Sequence, residues 1–331
     1  MRVGLTLGKF APLHQGHQRV IEAAIAETQH QIVVIYDVPD VTDIPLRVRA
    51  NWIEQLYPQV EVILAWDGPT EVSHDPVVTR QHDEYLQRLL RGKGVTHFYS
   101  SEFYGEHVSL ALGAIDRRID DQRVNVSISG TQIRADPYRY RNFLSPIVYW
   151  DMVKKAVFLG APATGKSTLA AYMAKRHATV WMPEYGREYW EEHQVNRRLS
   201  QEQLLAIAVE HRRREMSLVM QARRYFFIDT DASTTCQFSH YYHGSALAEL
   251  QRLANDCCKR YDLFFLCDTD IAYDDTPDRS GEVQREEFQR EIIASLKSLG
   301  TNTHLLRGSL EDRAQQVDQI LIDPASTARR G

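Results

Sequence analysis

Short apolar runs alternate with longer amphipathic segments along most of the chain. The runs of the first half are Val3–Leu7, Ile32–Tyr36, Val60–Ala65, Thr96–Ser100 and Val124–Ile128. Each run has the length of a buried strand, and most of the segments that follow have helical spacing of apolar residues. This alternation predicts a parallel sheet covered by helices on both faces. Because ligands bind beyond the carboxyl ends of such strands, we expect functional residues directly after the runs.

The second half repeats this pattern and predicts a second sheet. Its apolar runs are Lys155–Leu159, Thr179–Met182, Tyr225–Ile228, Leu263–Leu266 and Thr303–Leu306. The connector 135–151 contains two prolines and many aromatic residues, so we expect it to pack rather than to act as a flexible linker. The prediction is two α/β domains with doubly wound parallel sheets, spanning residues 1–147 and 152–324, followed by a disordered tail at 325–331.

Composition narrows the class of protein. The chain has 331 residues, of which 43% are hydrophobic and 25% charged, as in soluble globular proteins. The net charge of −5 gives no reason to expect nucleic-acid binding. Four cysteines without a C-x-x-C pair favour a reducing compartment. No leader and no long apolar window precede or interrupt the pattern, so we expect a cytoplasmic protein without a membrane span.

The stretch Gly160–Ser167, GAPATGKS, fits the phosphate-binding pattern G-x-x-x-x-G-K-[ST]. An apolar run precedes it and a helical segment follows it, which is the context that the pattern requires. Its backbone N–H groups cradle phosphates, its lysine reaches the β- and γ-phosphates, and its hydroxyl binds Mg²⁺. The predicted ATP-binding residues are Gly160, Ala163, Thr164, Gly165, Lys166, Ser167 and Thr168.

Acidic and basic residues follow two other runs of the second half. Asp229 ends an apolar run, where a carboxylate binds Mg²⁺ together with Ser167. Glu184 can accept the proton of an attacking hydroxyl while Arg187 neutralises phosphate, although an exposed ion pair is the alternative. The loop 268–281 is either a lid that brings Arg279 or Arg285 onto the phosphate, or a solvated acidic loop.

Two histidines follow the first run, in Gly8–His17, GKFAPLHQGH. His14 and His17 lie where a helix begins, so their N–H groups and the helix N-terminus can stabilise negative charge on a phosphate. Tyr104 follows the fourth run and is a candidate for stacking on a base, although packing is the commoner role. Trp52 shares a helix with Arg47 and Arg49, and a solvated arginine face over a buried tryptophan is the alternative to ligand contact there.

These residues resemble the signatures of the nucleotidyltransferase superfamily, whose members transfer a nucleotidyl group to a phosphate and release pyrophosphate. GKFAPLHQGH matches G-x-F-x-P-x-H-x-G-H, and Ile128–Arg134 matches ISSTxxR with Gly130 in place of the second serine. Hydroxyls and an arginine at a helix start form a further phosphate clamp. The predicted ATP-binding residues of this domain are Gly8, Lys9, Phe10, His14, His17, Ser129, Thr131 and Arg134.

The order of the two domains resembles the NadR family, in which a nicotinamide-mononucleotide adenylyltransferase is joined to a ribosylnicotinamide kinase. The resemblance covers nearly the whole chain and is most specific in VSISGTQIR, EYGREY, FIDTDASTT and the phosphate-binding loop. The family's D-x-x-R is matched by Asp120 and Arg123. The lid has Ala272-Tyr273 where the family has Pro-Trp. Some members begin with a helix-turn-helix domain, for which there is no room before Val3, so a DNA-binding domain is not expected.

The resemblance implies two steps of NAD salvage. The C-terminal domain phosphorylates nicotinamide riboside to nicotinamide mononucleotide (NMN) with ATP and Mg²⁺, and the N-terminal domain adenylylates NMN to NAD. The implied catalytic residues are His14, His17, Lys166, Glu184 and Asp229. The weaker candidates for acceptor binding are Trp52, Tyr104, Glu184, Tyr185, Arg187, Asp231, Tyr273 and Arg279.

The sequence leaves other functions open. The same two folds could act on another nucleotide or vitamin acceptor, because the signature residues handle ATP rather than the acceptor. A nucleotide-sensing regulator is an alternative of a different class, against which the intact catalytic residues argue. The sequence does not indicate which activity is faster, whether NMN passes between the sites, or whether a homo-oligomer forms.

Overall fold

The structure is a computed structural model that describes residues 1–69, 71, 75–101, 105–120, 124, 126–195, 198–272 and 282–322, with the backbone alone at 282 and 283. The chain divides into two compact units, Met1–Asp151 and Met152–Arg330. Each contains a five-stranded parallel sheet between helices, so the predicted α/β class with two parallel sheets is confirmed.

The sheet of the first unit has the strand order β3-β2-β1-β4-β5. Its strands are β1 (Val3–Gly8), β2 (His30–Tyr36), β3 (Glu61–Ala65), β4 (His97–Ser100) and β5 (Ile115–Arg118). Its helices are α1 (Gln15–Glu27), α2 (Leu46–Leu56), α3 (Pro76–Leu89), α4 (Gly105–Leu112), α5 (Gly130–Ala135) and α6 (Pro146–Trp150). The order reverses at β1, so the loop that follows β1 lies at the crevice where ligands of such sheets bind.

The predicted fifth strand, Val124–Ile128, is wrong. The edge strand is β5, which pairs with β4 on one side and consists of the charged segment Ile115–Arg118. An edge strand is partly exposed to solvent and therefore tolerates charged side chains. For this reason β5 does not appear as an apolar run in the sequence. Val126 and Ile128 are both buried and line a cavity, but they form no strand.

The sheet of the second unit has the order β10-β9-β6-β8-β7. Its strands are β6 (Lys154–Leu159), β7 (Trp181–Met182), β8 (Tyr225–Asp229), β9 (Leu263–Cys267) and β10 (Thr303–Leu306). Its helices are α7 (Lys166–Arg176), α8 (Tyr185–His193), α9 (Gln201–Leu218), α10 (Ala232–His243), α11 (Ala248–Arg260), α12 (Glu282–Ser298) and α13 (Leu310–Ile322). Stacked phenylalanines at 158, 227 and 265 join the three middle strands on one face.

Helix α10 was not predicted, because its sequence ASTTCQFSHYYH has few strong helix formers. It begins because Asp231 caps it, its carboxylate accepting the backbone N–H groups of Ser233 and Thr234 at 2.9 and 3.3 Å. None of the helices in the described ranges is both long and apolar enough to cross a membrane.

Gly160 lies where the loop after β6 meets the end of β9, so we expect no larger residue to fit there. Its φ is +141°, and a Cβ atom there would lie 2.7 Å from the carbonyl oxygen of Cys267. Gly244 is the matched control, since its φ is +71° and a Cβ atom would have no neighbour within 4 Å. We expect Gly160→Ala to destabilise the second unit by about 3 kcal/mol or more and Gly244→Ala by about 1–2 kcal/mol. Calorimetric unfolding measures both, and equal losses would contradict the packing argument.

Candidate functional site

The first unit contains a cavity of about 440 Å³ at the carboxyl ends of β1 and β4. Segments that are far apart in sequence meet on its wall, one after β1 and the other around the start of α5. All of the ATP-binding residues predicted for this unit line the cavity, namely Gly8, Lys9, Phe10, His14, His17, Ser129, Thr131 and Arg134.

Backbone hydrogen bonds orient the two histidines. His14 caps α1, and its Nδ1 accepts the backbone N–H of Gly16 at 3.2 Å. The Nδ1 of His17 accepts the backbone N–H of His14 at 3.4 Å, and the two rings stack with centroids 3.7 Å apart. A nitrogen that accepts a hydrogen bond carries no proton, so each neutral ring bears its proton on Nε2. The cavity wall therefore carries two imidazole N–H donors.

Arg134 connects the two signature segments. Its guanidinium donates to the carbonyl oxygen of Ala11 and, at 3.1 Å, to the hydroxyl of Thr131. Ser129 caps α5 and exchanges hydrogen bonds with Gln132. A Cβ atom at Gly130 would lie 3.0 Å from the Ala11 carbonyl oxygen, so the glycine that stands here in place of the signature's second serine permits this close approach. Burial lowers the pKa of Arg134, which nevertheless stays charged at neutral pH.

The cavity is also lined by residues that no signature contains. Tyr36 lies at the end of β2, and its ring is 6.2 Å from that of His82 on α3. His107 on α4 also lines the cavity and pairs with Asp83 at 2.9 Å. These residues come from three separate elements, so no local sequence pattern could have identified them.

The sequence-based candidates on α2 do not reach the cavity. Trp52 is buried, and its indole N–H donates to Asp151 at 2.7 Å. The alternative of a solvated arginine face is also wrong in part, because Arg49 is only 1% exposed. Arg47 is exposed and pairs with Glu54 at 3.2 Å.

In the second unit, the loop 160–165 joins β6 to α7, and side chains of the same segment donate hydrogen bonds to one of its carbonyl groups. The Lys166 ammonium and the Thr164 hydroxyl donate to the carbonyl oxygen of Ala161, at 3.0 and 2.8 Å. Gly165 adopts φ +79° directly before the helix. Ser167 and Thr168 follow in the first turn of α7, and Thr168 is exposed.

Side chains from α12 and α13 hold this loop from behind, and sequence reasoning missed most of them. Gln289 accepts the N–H of Ala161 at 2.7 Å, and Arg313 donates to the carbonyl oxygen of Thr164 at 2.6 Å. Arg285 was predicted to act from a lid, but it lies on α12 with 3% exposure and donates to the carbonyl oxygen of Ala163 at 3.1 Å. It therefore supports the loop.

Asp229 ends β8 with both carboxylate oxygens buried and without a hydrogen-bond partner of regular geometry among the described residues. Burial and the charge of Glu184 raise the pKa of Asp229 to about 6, against the opposing effect of Lys166 and Ser167. Buried carboxylate oxygens beside a hydroxyl are the oxygen donors that Mg²⁺ prefers. Within the described ranges, no group of three or more histidines, cysteines and carboxylates could by itself hold a metal ion.

A smaller cavity of about 100 Å³ lies beside Lys166. It is lined by Glu184, Arg187 and Asp231. Glu184 and Arg187 also form an ion pair at 3.9 Å, so a place in the cavity wall and an ion pair, the two alternatives that the sequence offers for them, occur together. Aromatic residues form much of the remaining wall, namely Trp190, Phe238, Tyr242 and Phe288. The Oδ2 atom of Asp231 is buried and accepts no hydrogen bond of regular geometry from any described residue.

The remaining candidates lie elsewhere. Tyr185 does not line the cavity, because its ring is covered by Arg214 at 3.9 Å and meets Tyr189 edge to face. Other predicted residues lie outside the described residues, namely Tyr104, Arg123, Tyr273 and Arg279.

Comparison with known proteins finds relatives that match most of the chain. It is 28% identical over 94% of its length to the trifunctional NAD biosynthesis/regulator protein NadR of Escherichia coli K12, of which it covers 79%. It is 27% identical over 89% of its length to the protein of that name from Salmonella typhimurium LT2, of which it covers 76%. A family model described as an AAA domain matches residues 155–313.

Solved structures of NadR proteins have the same fold. One in complex with NAD and AMP-PNP aligns over all of this chain and 97% of its own, with a TM-score of 0.56 and 20% identity. Another in complex with NR aligns over 99% of this chain and 97% of its own, with a TM-score of 0.57 and 20% identity.

The raised pKa of Asp229 predicts that its charge destabilises the ligand-free protein. In the unfolded chain the pKa is about 3.9, so the ionised carboxylate opposes folding fully above about pH 6, and this effect fades as the pH falls towards 4. We expect Asp229→Asn to raise the melting temperature of the second unit by roughly 5 °C at pH 7.5 and by less at pH 4.5.

Asp262 is the matched control for this measurement. Although burial acts to raise it, the pKa of Asp262 is lowered by the Lys155 ammonium and backbone N–H. Asp262→Asn should therefore lower the melting temperature at pH 7.5. A fall in melting temperature for Asp229→Asn in the same calorimetric series would show that the Asp229 charge is well compensated.

Proposed function

We propose that this chain, a homologue of the NadR proteins, is a bifunctional enzyme that makes NAD in two steps. The second unit transfers the γ-phosphoryl group of ATP to nicotinamide riboside and forms NMN. The first unit transfers the adenylyl group of a second ATP to NMN and releases pyrophosphate. At the coarser level, the homology establishes a nucleotide-binding P-loop enzyme related to NAD.

The observation that carries the proposal is the meeting of both nucleotidyltransferase signatures on one cavity wall. Their residues are 111 or more positions apart in sequence, yet Arg134 donates to Ala11 within the loop after β1. The relatives support the substrates, because their structures hold NAD with an ATP analogue in one case and NR in the other.

In the first unit, a phosphate oxygen of NMN attacks the α-phosphorus of ATP while the bond to the bridging oxygen of the β-phosphate breaks. Pyrophosphate leaves with the electron pair of that bond. His14 and His17 donate Nε2–H hydrogen bonds to the phosphate oxygens, and Arg134 and the N-terminus of α1 stabilise the negative charge. No covalent intermediate with the protein is needed, so the catalytic work is positioning and charge stabilisation.

In the second unit, the 5′-hydroxyl oxygen of the riboside attacks the γ-phosphorus and ADP leaves. Glu184 accepts the proton of the hydroxyl, and Lys166 and Arg187 neutralise the phosphate charge. The aromatic wall fits a planar ring, and Asp231 accepts hydrogen bonds from sugar hydroxyls with its buried Oδ2 atom. Ser167 and Asp229 would hold Mg²⁺, which supplies further neutralisation of phosphate charge when bound.

Two substitutions separate the steps. We expect His17→Asn to lower the conversion of NMN to NAD at least about 100-fold while phosphorylation of nicotinamide riboside is unchanged. We expect Lys166→Ala to lower riboside phosphorylation to a similar extent while added NMN is still converted to NAD. Product chromatography measures both reactions, and each variant is the folding control for the other.

Two outcomes would contradict the proposal. If the wild-type protein converts NMN to NAD but leaves nicotinamide riboside untouched, the second unit has another acceptor. If either substitution abolishes both reactions while the protein remains folded, the assignment of one step to each unit is wrong.

A further inference from the structure

The peptide between Lys9 and Phe10 has an unusual environment. Phe10 is 1% exposed, lines the large cavity of the first unit and adopts φ +43°, a conformation rare for residues other than glycine. Among the residues that the structure describes, none accepts a hydrogen bond from the Phe10 N–H. A buried N–H group without a partner is rare in folded proteins, so this donor is expected to have one outside the chain.

Arg49 binds the carbonyl side of the same peptide. Its Nη1 donates to the carbonyl oxygen of Lys9 and, at 3.0 Å, to that of Tyr36. Its Nε donates to the carbonyl oxygen of Ile44 at 3.0 Å, and its Nη2 lies 3.4 Å from a carboxylate oxygen of Asp37. The guanidinium therefore joins the loop after β1 to the end of β2 and the segment before α2.

The contact between Arg49 and the Lys9 carbonyl also determines the direction in which the Phe10 N–H points. The C=O and N–H of a planar trans peptide point in opposite directions. Arg49 does not line the cavity, whereas Lys9 and Phe10 do. Because Arg49 draws the Lys9 carbonyl away from the cavity, the Phe10 N–H is directed towards it.

We propose that Arg49 is a positioning residue that holds the Lys9–Phe10 peptide with its N–H aimed into the cavity, where it donates to a phosphate oxygen of the nucleotide. The identity of that phosphate as part of ATP rests on the proposed function. The role requires a planar fork with several donors, because one group must reach three carbonyl oxygens and a carboxylate at once. A lysine keeps the charge but cannot span them.

The direct test observes the Phe10 amide in the full chain. The protein is labelled with ¹⁵N-phenylalanine, the Phe10 resonance is assigned from the spectrum of Phe10→Leu, and inorganic tripolyphosphate is added. We expect the Phe10 resonance to shift in the wild-type protein and in Arg47→Lys, and to stay in place in Arg49→Lys. Arg47 is the matched control because it lies on the same helix, exposed and paired with Glu54.

Kinetics provide the second readout. For Arg49→Lys we expect kcat/KM for ATP in NAD formation to fall at least about tenfold, with the KM for NMN and the riboside phosphorylation of the second unit unchanged. A merely structural role would lower kcat and kcat/KM together, in proportion to the folded fraction, and leave the KM for ATP unchanged. The fall expected here includes a rise in the KM for ATP, because a contact with its phosphate is lost. Arg47→Lys should match the wild-type protein in all of these values.

If tripolyphosphate does not shift the Phe10 resonance of the wild-type protein, the inference is overturned, even if Arg49→Lys fails to fold. Wild-type kinetics in Arg49→Lys would overturn it as well. Failure of the proposed function looks different: NMN is then not converted by the wild-type protein, while the tripolyphosphate shift and its loss in Arg49→Lys still stand.

Discussion

A backbone loop that turns its N–H groups towards an anion must turn its carbonyl groups the other way, into the protein. Those carbonyl oxygens are buried and need donors, and both units supply them mainly with cationic side chains. The loop carbonyls are those of Lys9, Ala11, Ala161, Ala163 and Thr164, and their donors are Arg49, Arg134, Lys166, Arg285 and Arg313. A guanidinium suits this role because it has several donors in a fixed plane and remains charged when buried.

This constraint explains why each site depends on elements far from its signature. Arg49, Arg285 and Arg313 add positive charge behind the loops, whereas Arg134 and Lys166 also line the cavities. Asp229 carries the opposite charge, and burial and the charge of Glu184 raise its pKa, so its ionised form is expected to oppose folding. In this account the second unit gives up stability at the position where its ligand restores it.

Local sequence predicted most of the strands and the position of both glycine-containing signature segments after them, because strands, glycine turns and helix starts depend on neighbouring residues. It could not predict the donors behind the loops. Arg313 and Thr164 are 149 residues apart. A charged residue on a helix is usually solvated, and for Arg49 the sequence offers only a solvated face or ligand contact as alternatives. The same rule hid β5, whose charged residues lie at a sheet edge. Trp52 on α2 is buried, and its indole N–H donates to an aspartate far along the chain, which no local pattern reveals.

The central claim is that a phosphoryl transfer in the second unit is followed by an adenylyl transfer in the first unit. The most direct measurement supplies nicotinamide riboside with either [γ-³²P]ATP or [α-³²P]ATP and follows the label in the separated products of the wild-type protein. The account predicts that the γ label enters NMN first and NAD later, whereas the α label enters NAD alone. Label from [γ-³²P]ATP in neither NMN nor NAD would contradict it, and so would unlabelled NAD from [α-³²P]ATP.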